Sequence, residues 1–106
     1  IINRIVNVTK KTNTVEKIRD AVCEYFSVPI EDIFTKSRKR EIVQARQIAM
    51  YLSKQLTQSS LSYIGNAIGK RDHATVLYSC KTVNDLMETD KSFRNKVKEI
   101  EEKLKS

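Results

Sequence analysis

The sequence predicts an all-α domain, and three observations carry that expectation. Only two glycines and one proline occur in 106 residues, too few for the frequent turns of a β-sandwich or barrel. Apolar residues recur at intervals of three and four along most of the chain, the helical period rather than the strand period of two. Candidate N-caps (Thr14, Ser60, Asp72 and Asp90) stand immediately before those periodic stretches. Hydrophobic residues make up 40% of the chain, enough for one modest core and against a wholly disordered chain.

The opening, IINRIVNVTKKTNT, mixes apolar, Asn and Lys residues. It predicts a short helix over Ile2–Val8 and a polar linker over Thr9–Thr14. Residues 1–13 therefore read as a linker or the end of a preceding domain, and residues 14–106 as the helical domain. Residue 1 is Ile rather than Met, which predicts a processed product or a piece of something longer. No basic n-region followed by an apolar h-region opens it.

Thr14 precedes VEKIRDAVCEYF, in which Val15, Ile18, Val22 and Phe26 share a helical face. Pro29 ends this helix or separates it from its successor. IEDIF, Ile30–Phe34, predicts a helical turn with Ile30, Ile33 and Phe34 pointing inward. TKSRKR, Thr35–Arg40, is short, polar and basic. The next helix runs from about Glu41 to Leu56, with Ile42, Ala45, Ile48, Ala49, Leu52 and Leu56 as its buried stripe. Arg46, Gln47 and Lys54 fall outside that stripe and are expected to face water or a ligand.

TQSS interrupts the pattern at residues 57–60. Ser60 then caps a short helix over Leu61–Ile68, and Gly69 suits the left-handed position that ends it. Lys70 and Arg71 form a turn. Asp72 caps a helix from His73 to about Glu88. Its buried stripe is Val76, Cys80, Val83 and Met87; its opposite face is Ala74, Tyr78, Lys81, Thr82 and Asp85, with Thr75 on the edge. Asp90 caps a last helix in which Phe93, Val97, Ile100 and Leu104 repeat the spacing. The sum is five to seven helices.

The charge is concentrated. Of a formal net +7 for the chain, residues 36–54 carry six basic groups against one acidic, and residues 55–82 three against one. The flanking segments cancel. A field of one sign in the middle of the chain fits an anionic partner, nucleic acid ahead of a membrane surface; solubility charge is the plainer alternative. No apolar run approaches the roughly 20 residues of a membrane span. Cys23 and Cys80 fit no metal spacing and read as small buried hydrophobes of a reducing compartment. There is one His, no phosphate-cradling Gly loop and no nucleophile motif, so no catalytic residue and no metal site are expected.

Two helices joined by G-K-R-D form a helix-turn-helix candidate, a weak signal alone. The outward face of the second helix strengthens it, because small or polar groups stand where a buried interface would carry Leu or Ile. The helix N-terminus at Asp72–Thr75 presents backbone N–H groups and a positive dipole end, with Lys70 and Arg71 beside it. Asp accepts from cytosine N4, His donates to guanine or phosphate, and Ala or the Thr methyl packs on a thymine methyl. Asp72 equally serves as a plain cap, His73 as an ordinary exposed side chain, and Tyr78 as a packing residue. The basic loop Lys36, Arg38, Lys39, Arg40 suits a narrow minor groove or a solvated charge run. A non-specific RNA-binding module and a protein-interaction module share parts of this pattern.

The segment EIVQARQIAMYLSKQLTQSSLSYIGNAIGKRDHATVLYSCKTV, Glu41–Val83, resembles the C-terminal DNA-binding domain (domain IV) of the bacterial chromosomal replication initiator DnaA. RQIAMYL, then IG, then RDHATVL carry the likeness, the last being similar to the family's RDHTTVLHA signature. The likeness extends more loosely from about Val15 through the last helix.

The resemblance implies a Trp-repressor-like helical domain built around a helix-turn-helix, which binds double-stranded DNA at DnaA boxes, A/T-rich sites of the replication origin like TTATNCACA. It implies base contacts from Arg38, Leu61, Ser62, Asp72, His73, Ala74 and Thr75. It implies phosphate contacts from Lys36, Lys39, Arg40, Arg46, Gln47, Lys54, Ser60, Lys70, Arg71, Tyr78 and Lys81. Three positions depart from the family pattern: Ala74 where many members have Thr, Ser62 where Pro is common, and Tyr78 where His is frequent. No Walker-type G-x-x-x-x-G-K-[ST] occurs in the chain. No cofactor is therefore expected in it, and ATP, self-association and strand opening are assigned to other parts of a parent protein. A cytoplasmic, nucleoid-associated location follows from the same likeness.

Overall fold

A computed structural model describes residues 14–105; the expected helix over Ile2–Val8 and the segment 1–13 lie outside the described residues. Thr14 is the first cap. Its Oγ1 accepts the Lys17 N–H at 3.1 Å, which satisfies one orphan donor and starts α1, Val15–Phe26. α1 ends in a left-handed turn at Ser27 (φ 57°), where the Ser27 and Val28 N–H groups donate to Glu24 O and Cys23 O. Pro29 therefore opens the next element rather than ending α1. That element is the single-turn helix α2, Ile30–Ile33.

Only one of the three residues expected to point inward from this turn does so. Ile33 is fully buried, whereas Ile30 and Phe34 are 38% and 37% exposed. One helical turn presents a single row to the core, and Ile33 fills it. Phe34 lies instead beneath the Arg19 guanidinium, 5.9 Å from its ring centroid.

α3, Arg40–Leu56, is the central helix. It packs against α1 on one side and against α5, His73–Thr89, on another. Flanked in this way, α3 buries more than one stripe. Ile42, Ala45, Ile48, Ala49 and Leu52 are buried as the spacing predicts, but so are Met50, Ser53 and Arg46. The expected outward placement of Arg46 is corrected: the residue is only 9% exposed, covered by the Ile33–Ser37 stretch, whose carbonyls accept its N–H groups. Leu56 is half-buried.

The short helix α4, Leu61–Ala67, starts at the Ser60 cap, whose Oγ accepts the Tyr63 N–H at 3.1 Å. α6, Lys91–Lys105, follows Asp90, whose Oδ1 accepts the Phe93 N–H at 3.2 Å. α6 lays Phe93, Val97, Ile100 and Leu104 against the core and contacts α5 and α1. On α5 the buried row is Val76, Ser79 and Val83, while Cys80 and Met87 are half-buried. Cys23 is buried and free, and burial pushes its thiol pKa up to about 11.

Two glycines allow close backbone approaches here, Gly65 to the turn before α5 and Gly69 to the end of α2. The Arg71 N–H donates to Gly65 O at 2.8 Å, and a Cβ on Gly65 would stand 2.1 Å from Arg71 O. Gly69 takes φ +91°, and a Cβ there would stand 2.9 Å from Ile33 O. Both neighbours are backbone atoms and cannot rotate away. Gly65→Ala is therefore expected to destabilise the domain by about 1–3 kcal/mol or more, read as a lowered urea midpoint. An unchanged midpoint would contradict the close approach.

Candidate nucleic-acid interface

The N-terminal end of α5 is open to solvent. Asp72, His73, Ala74 and Thr75 are all exposed, and so are Tyr78 and Lys81 further along the same side. The Asp72 carboxylate caps the helix, accepting the Thr75 N–H at 2.9 Å. That bond holds its pKa below the ordinary 3.8. Tyr78 is 66% exposed, so it is not a packing residue. Leu77, which the helical spacing placed on neither the buried stripe nor the opposite face, is 48% exposed beside it.

The basic loop lies against the helix-turn-helix. Arg71, in the turn, donates through Nη2 to Thr35 O at 3.0 Å. Arg46, from α3, donates through Nη2 to the same Thr35 O at 3.0 Å and to Ser37 O at 3.2 Å, and through Nε to Ile33 O at 3.0 Å. With Ser37 turned partly inward, Lys36 and Arg38 stand exposed, as do Lys39 and Arg40.

The remaining expected contacts divide. Lys54 and Lys70 are exposed and Gln47 is half-buried. Lys81 is exposed but stands 3.5 Å from Asp85 in a solvent-screened pair. Ser62 is exposed in the first turn of α4, while Leu61 is half-buried and packs partly on the core. The Ser60 oxygen is engaged as a cap.

Sequence reading missed two residues that brace α4. Arg19 on α1 donates through Nη1 to Ala67 O at 3.0 Å, an acceptor 48 positions away. The Tyr63 hydroxyl donates to the Glu16 carboxylate, a bond that lowers the Glu16 pKa and raises that of Tyr63. Neither carries a local signal. Gly65 does carry one, as an isolated glycine within a helical stretch. Among the described residues, no group of three His, Cys, Asp or Glu side chains is placed to hold a metal ion, and no helix is long and apolar enough to cross a membrane.

A family model described as the bacterial dnaA protein helix-turn-helix matches residues 15–83. The chain belongs to this DnaA helix-turn-helix family. The chromosomal replication initiator protein DnaA of Bacteroides thetaiotaomicron is 52% identical over 105 residues, which cover 99% of this chain and 22% of that protein. DnaA of Flavobacterium psychrophilum is 44% identical over 104 residues, 98% of this chain and 22% of that protein. DnaA of Thermodesulfovibrio yellowstonii is 47% identical over 94 residues, 89% and 22%. The chain thus spans about a fifth of the length of the DnaA proteins it matches. The DnaA family match runs from the start of α1 to Val83 in α5, so it contains the basic loop and both helices of the motif.

The Asp72 cap gives a pH test. Its folded pKa lies below the ordinary 3.8, so the stability it contributes is full above about pH 4 and is lost as pH falls through the folded value. Asp72→Asn keeps a capping oxygen but does not titrate. The wild type is expected to lose more thermal stability than Asp72→Asn between pH 5 and pH 3, each at about those values. Equal losses would show that the carboxylate does not act as the cap.

Proposed function

We propose that this domain binds double-stranded DNA sequence-specifically at DnaA boxes of a replication origin, without catalysis, and so contributes to the initiation and regulation of chromosomal replication. One observation carries this reading. The basic loop and the exposed start of α5 are tied to each other through Thr35 O, so a groove-reading helix end and a basic arm belong to one surface. Membership in the DnaA helix-turn-helix family supports it, as do relatives that are chromosomal replication initiator proteins.

In this reading α5 enters the major groove by its N-terminal end. Asp72, His73, Ala74 and Thr75 meet base edges, and Arg38 enters the adjoining minor groove. Ser62 and the exposed part of Leu61 approach bases from α4. Lys36, Lys39, Arg40, Gln47, Lys54, Ser60, Lys70, Arg71, Tyr78 and Lys81 hold phosphates and set register. Arg46 is left out of this set because its Nε and Nη2 are already bonded to loop carbonyls. ATP binding, self-association and strand opening are assigned to the portion of a DnaA protein that this chain does not span, and the location to the bacterial cytoplasm.

A binding curve on a labelled DnaA-box duplex, repeated with the box scrambled, tests the proposal. Tighter binding to the box is expected, with log K falling against log salt at a slope of roughly −5 to −7 for about six to eight neutralised phosphates. Equal affinity for both duplexes, or a flat salt dependence, would overturn it. On the box duplex His73→Ala is expected to cost about 1–3 kcal/mol and to relax specificity. Lys54→Gln should weaken box and scrambled duplexes alike, by about one unit of salt slope. Identical behaviour of the two variants would refute the division between base and phosphate contacts.

A further inference from the structure

We infer that Arg46 and Arg71 are positioning residues that hold the Thr35–Lys39 loop in fixed register with α5, so that Arg38 is aimed by them; this rests on the DNA-binding reading above. Arg46 sits on α3 with 9% of its surface exposed. Its Nε and Nη2 donate to three backbone carbonyls of one short stretch, Ile33 O, Thr35 O and Ser37 O, at 3.0, 3.0 and 3.2 Å. A buried cation is costly unless its donors are satisfied. Here Nε and Nη2 of one planar fork give three N–H donors to the loop and in return fix alternate peptide units of it. Arg71 adds a second donor to Thr35 O from the turn that precedes α5. One carbonyl oxygen therefore joins the central helix, the basic loop and the helix-turn-helix.

The loop is braced internally as well. The Thr35 hydroxyl donates to Asp32 O at 2.7 Å, and its oxygen accepts the Ser37 N–H at 3.2 Å. The Ser37 Oγ accepts the Lys39 N–H at 3.3 Å. The backbone is tied at residues 33, 35 and 37, while the side chains of Lys36 and Arg38 are exposed. A side chain on a free loop would lose conformational entropy when it entered a groove; on a braced loop most of that cost is met on folding. Direct phosphate binding by Arg46 and loop bracing by Arg46 make opposite demands. A phosphate needs the positive charge, whereas three carbonyls at alternate residues need the fork.

The test uses the 106-residue chain, with Arg46→Lys, Arg71→Lys and Arg38→Ala alone and in pairs, on box and scrambled duplexes. Arg46→Lys keeps the charge and loses the fork. It is expected to weaken box binding by about tenfold, and scrambled binding by less than about twofold. In the Arg38→Ala background the further loss on the box should also be below about twofold, because the residue acts through Arg38. In the free chain, amide hydrogen exchange at Lys36–Lys39 should quicken in Arg46→Lys and Arg71→Lys alike. Box affinity unchanged in Arg46→Lys, a full tenfold loss persisting beside Arg38→Ala, or unchanged loop exchange would overturn the inference while leaving the DNA-binding reading intact. A wild type that does not distinguish box from scrambled duplex would overturn both. If Arg46→Lys does not fold, hydrogen exchange at Lys36–Lys39 of free Arg71→Lys decides, a readout that its phosphate contact does not touch: quickened exchange supports the inference and unchanged exchange overturns it.

Discussion

The contact between the Arg71 peptide and Gly65 governs the geometry of the motif. Two helices can cross at many angles, but here a backbone carbonyl stands where a Cβ would be, 2.1 Å from the ideal Cβ position. The hydrogen bond from the Arg71 N–H to Gly65 O closes the same contact from the other side. Because the turn is held by its own backbone onto α4, the Asp72 cap and the start of α5 are held too. Arg19 and Tyr63 then tie α4 to α1 by side-chain bonds to Ala67 O and Glu16. The exposed end of α5 is therefore part of a braced unit and not a projecting rod.

Electrostatics follow from this geometry. The acidic groups of α1 and α2 and the mixed charges of α6 lie in sequence on either side of the basic middle. The fold brings the basic loop to the turn before α5 through Thr35 O. Most of the basic groups there are exposed and unburdened by strong carboxylate partners, the Lys81–Asp85 pair being a screened exception. Cations in this state are free to neutralise phosphates and displace the counterions condensed on a duplex, which is how a polyanion gains affinity for a surface of this kind. The Asp72 carboxylate looks out of place in such a field. It is explained by the Thr75 N–H it accepts and by the favourable position of an anion at a helix N-terminus.

Much of the fold could be read from the sequence, for a physical reason. Helix positions were carried by local signals, namely apolar spacing and the caps Thr14, Ser60, Asp72 and Asp90, each of which accepts the expected backbone N–H. The exposed face of α5 was equally legible, since Ala74 and Tyr78 follow from one helical wheel. Arg46 was misplaced because its cover is the end of α2 and the basic loop, whose carbonyls at Ile33, Thr35 and Ser37 accept its N–H groups, and a wheel of α3 alone does not show them. Phe34 was misplaced because its cover is a guanidinium from another helix. The Arg19, Tyr63 and Arg71 bonds connect residues tens of positions apart, and no local pattern encodes them.

In the proposed function a single surface, made of the loop at residues 36–40 and the start of α5 at 72–75, meets the duplex. Mapping backbone amide chemical shifts while the chain is titrated with a box duplex tests it most directly. The largest changes should fall together in those two segments, with α6 nearly silent. Changes centred on α6 and the outer side of α1, with the start of α5 unaffected, would contradict it.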